Sequence, residues 1–136
     1  MQGSGLSHIQ FNVNPDNVPF YDDLFGFLGW QKVYEAEGAV GLAGKNGESI
    51  WFTGPVKDVS NDYDGPGMNH LAIDAGAQAD VDAAAAFLTD KGVEMLFETP
   101  RHRPEFSGDG NTYYQIMFET PDRILLEFVY TGPMQD

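Results

Sequence analysis

The sequence predicts an α+β fold of two βαβββ modules, forming a curved mixed sheet around a central cleft with the helices outside. Three observations predict it. Ser7-His8-Ile9-Gln10-Phe11-Asn12-Val13 lines up with Asn69-His70-Leu71-Ala72-Ile73-Asp74-Ala75, 62 residues later. Residues 28–35 line up with 91–98 at a spacing of 63, and Thr53-Gly54-Pro55 and Thr131-Gly132-Pro133 each close an apolar stretch. A repeat of about half the chain is too long for a solenoid and implies one duplicated module. The 136 residues therefore read as a single domain, with module one at about 5–56, a linker at about 57–67 and module two at about 68–133.

Residues 6–13 alternate, with Ile9, Phe11 and Val13 on one face and His8, Gln10 and Asn12 on the other, which predicts a half-buried strand. Asn17 then caps a short helix whose Val18, Tyr21, Leu24, Phe25 and Leu28 form one stripe; Pro19 fits in its first turn, and Gly26 and Gly29 end it. Strands at 31–35, 39–43 and 49–53 follow, separated by Gly-rich turns. After the turn-rich stretch 62–67, residues 70–75 repeat the first strand. Asp80 caps a second helix with Val81, Ala84, Ala85 and Leu88 inward and Gly92 after its end. Strands at 93–98, 113–119 and 124–130 complete the second module.

Composition removes several classes of function. Seven Lys and Arg against 21 Asp and Glu give a net charge of −14, which repels nucleic acid and anionic membrane surfaces. No cysteine is present, so disulfides, thiolate nucleophiles and Cys-based zinc sites are excluded together. The first five residues lack the basic and apolar regions of a signal peptide, and no run reaches the roughly 18 apolar residues of a membrane span. A cytoplasmic domain without nucleic-acid or membrane partners is expected.

Strand parity assembles a candidate site. If each helix covers the apolar face of its sheet, His8 and His70 point to the opposite, concave face. Glu127 lies mid-strand between Leu125, Leu126, Phe128 and Val129, where a carboxylate is costly unless its charge is compensated. Two imidazoles and one carboxylate facing one cavity offer that compensation through a divalent metal. A lone strand His is more often a hydrogen-bonded core residue, and Glu127 alone could pair with an Arg. The equivalent placement of the two His favours ligation. His102, in the polar loop Arg101-His102-Arg103-Pro104, reads as solvated or substrate-facing rather than as a fourth ligand. Tyr113, Gln115 and Met117 share one strand face and are expected to line the cavity with Trp51. Arg101 and Arg103 suit a substrate carboxylate or phosphate; they suit equally the neutralisation of Glu98, Glu105 and Asp109.

The paired units, with Ser7–Val13, Phe20-Tyr21-Asp22-Asp23-Leu24-Phe25-Gly26-Phe27, Asn69-His70-Leu71-Ala72-Ile73 and Leu125-Leu126-Glu127-Phe128, resemble the vicinal oxygen chelate superfamily. That group includes glyoxalase I, bleomycin resistance proteins, extradiol dioxygenases, fosfomycin resistance thiol transferases and methylmalonyl-CoA epimerase. The resemblance covers nearly the whole chain and implies more about fold than about reaction. It implies His8, His70 and Glu127 as ligands of a divalent ion (Fe, Mn, Ni or Zn), Glu127 as catalytic group, a small oxygenated substrate bound through two oxygens, and a homodimer. Aligning the two Thr-Gly-Pro closures places Ser49 at the position of Glu127 in module one, where glyoxalase I and the epimerase carry a fourth ligand. Met117 stands where extradiol dioxygenases and fosfomycin enzymes carry Tyr, and no acid-base His shortly precedes His70, which counts against both activities. The rival expectation is a metal-free binding protein of the bleomycin-resistance kind.

Overall fold

The computed structural model describes residues 1–135. The chain divides into two compact units, residues 1–59 and residues from Ser60 onward. In the first, β1 (His8–Asn12) leads through a short 3-10 turn (Pro15–Asn17) into α1 (Val18–Phe27), followed by β2 (Gln31–Ala36), β3 (Ala39–Ala43) and β4 (Ser49–Thr53). The second runs β5 (Leu71–Asp74), α2 (Gln78–Asp90), β6 (Arg101–His102), a 3-10 turn (Pro104–Phe106), β7 (Asn111–Glu119) and β8 (Leu125–Pro133). Each unit has its own four-stranded sheet, in the orders β1-β4-β3-β2 and β5-β8-β7-β6. The first strand of each lies parallel to the last, and the other pairs are antiparallel. This is the twice-repeated βαβββ order, and the fold class is as the repeat predicts.

Each helix is held by the apolar face of its own sheet. In the first unit Val13, Tyr21, Leu24, Phe25, Leu42, Ile50 and Phe52 are buried. Phe52 is the hub: its ring stacks on Tyr21 at 4.0 Å and on Phe11 at 5.5 Å, and meets Phe25 at 5.4 Å. In the second, Val81, Ala84 and Leu88 of α2 are buried, as are Ile73, Ile116, Phe118, Leu126 and Phe128 of the sheet.

Both expected helix caps are corrected. The 3-10 turn precedes α1, so the free N–H groups lie earlier, and Asn14 rather than Asn17 caps them, its Oδ1 accepting from Asp16 N at 3.0 Å. Helix α2 begins at Gln78, which leaves Asp80 inside its first turn with no side-chain capping bond from the N-cap residue, Ala77. Gln135 supplies the bond from far along the chain: Gln78 N donates to Gln135 Oε1 (2.8 Å), and Gln135 N donates to Gln78 Oε1 (3.1 Å).

The strand expected at 93–98 does not form. Phe97 and Glu98 adopt left-handed backbone, with φ of 56° and 61°, which breaks any ladder there. One link to β7 survives through Leu96 N, which donates to Met117 O (2.8 Å). The buried Thr99 hydroxyl carries the rest, donating to Leu96 O (2.7 Å) and accepting from Met117 N (3.1 Å). The edge strand is instead the two-residue β6. No helix among the described residues is long and apolar enough to cross a membrane.

Candidate functional site

In the second unit the register sets the site. Glu127 pairs with Ala72 on β5 and with Met117 on β7, so it shares a face with Met117, Gln115 and Tyr113 while Leu126 and Phe128 turn the other way. Glu127 is only 3% exposed. Tyr113 OH donates to its Oε2 at 2.9 Å, and Gln115 Nε2, itself 4% exposed, donates to the same oxygen at 2.6 Å. Two donors fill the two lone pairs of Oε2. The other oxygen, Oε1, lies 3.4 Å from His70 Nε2. The sheet thus fixes a carboxylate with one oxygen committed and the other turned toward an imidazole nitrogen.

That pair fits a divalent cation. Two ligands each about 2.0–2.2 Å from one ion, at tetrahedral or octahedral angles, stand roughly 3.0–3.5 Å apart. Tyr113 and Gln115 are neutral donors, so the negative charge of the buried carboxylate is what a cation beside Oε1 would compensate. Among the described residues, no three His, Asp or Glu side chains form a group that could hold a metal. The structure brings His70 and Glu127 together as a pair, and His8 lies on β1 of the first unit.

Gln115 and Tyr113, expected as lining residues, support the Glu127 carboxylate directly. Burial first, and donation to Glu127 second, push the Tyr113 hydroxyl up to about 12; burial and donation to Asp82 do the same for Tyr114. Both phenols ordinarily titrate at 10.0, so the folded state holds these protons more tightly than the unfolded chain. The stability they contribute is complete below pH 10 and is lost as pH rises from 10 toward 12. Alkaline unfolding followed by circular dichroism is expected to set in across that window, and Tyr113→Phe with Tyr114→Phe to flatten it.

Arg101 pairs with Gln115, on the Glu127 face, and its Nη1 is 3.8 Å from Glu98. Arg103 pairs with Glu105 and lies over the Phe106 ring at 4.6 Å, and that ring meets Tyr113 edge-on at 5.6 Å. Both arginines therefore have the neutralising partners that the sequence offered as one alternative. His102 pairs with Tyr114, lies tilted against that ring with centroids 4.4 Å apart and bonds Thr112 Oγ1 at 2.7 Å, on the face opposite Glu127.

In the first unit His8 pairs with Ser49 and Gln10 with Trp51. Leu71 pairs with Leu126 in the second, so counting from the two His the position equivalent to Glu127 in the first unit is Trp51, not Ser49. The Thr-Gly-Pro closures mislead because β8 runs on to Pro133 while β4 stops at Thr53. Trp51 lies flat across β3, where a Cβ on Gly41 would stand 2.6 Å from its ring, and its Nε1 donates to Ser49 Oγ at 2.9 Å. His8 Nδ1 is 3.0 Å from Ser7 Oγ. In the same way His70 Nδ1 is 2.7 Å from Asn69 Oδ1. The sequence analysis did not single out Asn69, though a polar residue before each His is visible in the repeat.

Two βαβββ units, one of which presents a His–carboxylate pair on its sheet, define a protein of the paired-module α+β class. Residues 5–128 match the Glyoxalase/Bleomycin resistance protein/Dioxygenase superfamily, and the chain belongs to that family. A crystal structure of a glyoxalase-type protein from Bacillus halodurans is similar over 95% of this chain and 96% of its own, with a TM-score of 0.77 and 25% identity. A fosfomycin resistance protein from Listeria monocytogenes shares the fold over 93% of this chain and 91% of its own, with a TM-score of 0.64 and 23% identity. The uncharacterized Bacillus subtilis protein YqjT is 41% identical over 63 residues; the match spans 46% of this chain and 46% of that relative.

Proposed function

We propose that the chain is a divalent-metal-dependent enzyme acting on a small oxygenated substrate through two of its oxygens. The observation that carries this reading is Glu127: a buried carboxylate whose Oε2 is filled by Tyr113 and Gln115 while Oε1 faces His70 Nε2. His70 and Glu127 are two ligands of the proposed set, with Fe, Mn, Ni and Zn all suited to nitrogen and oxygen donors. A bound ion would supply Lewis acidity to two adjacent substrate oxygens. Glu127 holds or moves a proton at Oε1, and Tyr113 and Gln115 keep that carboxylate from turning. Met117 supplies apolar wall, and Arg101 or Arg103 binds an anionic group by exchanging its Glu partner for the substrate. His102 is the weakest member of the lining set, because its ring packs on Tyr114. We place the protein in the cytoplasm as a homodimer; the wholly exposed edge strand β2 gives a physical reason to pair.

The second reading, a metal-free small-molecule-binding protein, is supported by the −14 charge, which suits a cationic ligand. Dialysis against Fe(II), Mn(II), Ni(II) and Zn(II) in turn, followed by elemental analysis, separates the two. The enzyme reading expects about one ion per chain in the wild type and none in His70→Ala; rapid ring cleavage of a catechol by the Fe(II)-loaded form would contradict the weight placed on Met117. A wild type that retains no ion makes the binding protein the better account.

A further inference from the structure

We propose that Asn69 is a positioning residue that holds His70 in the tautomer with hydrogen on Nδ1, which turns the bare lone pair of Nε2 toward Glu127 Oε1. The inference deepens the metal-site reading and takes its purpose from it, but the hydrogen-bond chain stands without an ion. It starts at a group with one possible role. The Tyr63 carbonyl only accepts, and Asn69 Nδ2 lies 3.1 Å from it, so the amide NH2 points there. The Asn69 oxygen is therefore the atom 2.7 Å from His70 Nδ1, and it too only accepts. Nδ1 must carry the hydrogen. A neutral imidazole has one N–H, so Nε2 is left bare and faces Glu127 Oε1 at 3.4 Å.

The far end of the chain is anchored. Tyr63 OH donates to Glu119, the Arg123 guanidinium lies over the Tyr63 ring at 5.3 Å, and Asn61 Nδ2 donates to Arg123 O at 2.9 Å. The segment before β5 is thus tied to the turn between β7 and β8, and the amide that orients His70 inherits that fixity. His8 offers the internal contrast. Ser7 Oγ stands 3.0 Å from His8 Nδ1, but a hydroxyl both donates and accepts, so it selects no tautomer.

The test is a two-bond proton–nitrogen correlation spectrum of metal-free, ¹⁵N-histidine-labelled protein, recorded where the rings are neutral. Only three His are present, so His8→Gln and His102→Gln assign the signals. The expected result is an Nδ1–H pattern for His70 in the wild type, its loss in Asn69→Ala, and its retention in Asn69→Asp, whose carboxylate still accepts. Zinc affinity measured by competition with a chelator should fall about 10–100-fold in Asn69→Ala and recover in Asn69→Asp. An Nε2–H pattern in the wild type overturns the proposal even if Asn69→Ala fails to fold, as does an unchanged pattern in a folded Asn69→Ala. An Nδ1–H pattern that responds to Asn69 in a protein that binds no ion supports the positioning role and removes the metal reading alone.

Discussion

Glu127→Gln is expected to stabilise the metal-free protein by about 1–3 kcal/mol and to lower its affinity for divalent ions at least about 100-fold. The two effects have one origin. The glutamine oxygen can still accept from Tyr113 OH and Gln115 Nε2, which now hold Oε2 at 2.9 and 2.6 Å. The new amide nitrogen takes the place of Oε1, 3.4 Å from His70 Nε2, and donates to that lone pair. A buried charge with no full counter-charge is exchanged for a neutral group with the same bonds and one more. Replacing buried charge by a well-fitted neutral group is commonly neutral or stabilising, while the cation loses an anionic ligand. Urea unfolding with and without zinc measures both quantities. A Glu127→Gln protein less stable than the wild type in chelator would show that the carboxylate is there for the fold.

Phe52→Ala is expected to cost about 3–5 kcal/mol, the range for a fully buried aromatic that leaves a cavity. Phe52 is 0% exposed and touches Tyr21, Phe11 and Phe25, rings contributed by β1 and α1, so its loss detaches the helix from the sheet on both sides. A folded domain has only about 5–15 kcal/mol in total, which makes this a large share. Both tryptophans, Trp30 and Trp51, lie in the first unit, so fluorescence during urea unfolding reports that unit selectively. A loss below about 1.5 kcal/mol would mean that the neighbouring rings close the gap.

Faces were legible in the sequence because they depend on period two alone. Ile9 and Phe11 toward the helix, and Tyr113, Gln115, Met117 and Glu127 together on the other side, all follow from alternation. What escaped depends on pairing between distant segments. The expectation of Ser49 at the Glu127 position failed because register is set by the β1–β4 and β5–β8 ladders, and the turn motif used to align them closes strands of unequal length. The cap of α2 lies at Gln135, 57 residues from Gln78, where no local pattern could reveal it. Residues 93–98 carry strand-like alternation, yet two successive left-handed residues break it, and Thr99 replaces the lost ladder bonds with its side chain. The roles of Gln115 and Asn69 were hidden for a related reason, since a side-chain amide shows its partner only once the strands are in register.

The central claim is that His70 Nε2 and Glu127 Oε1 bind one cation. X-ray absorption of the zinc-loaded protein tests it most directly, because imidazole ligands add characteristic outer-shell scattering to a nitrogen and oxygen shell at about 2.0–2.2 Å. The account predicts one zinc per chain with imidazole scattering in the wild type, and no stoichiometric zinc in His70→Ala. A spectrum of oxygen ligands alone, unchanged by His70→Ala, would contradict it.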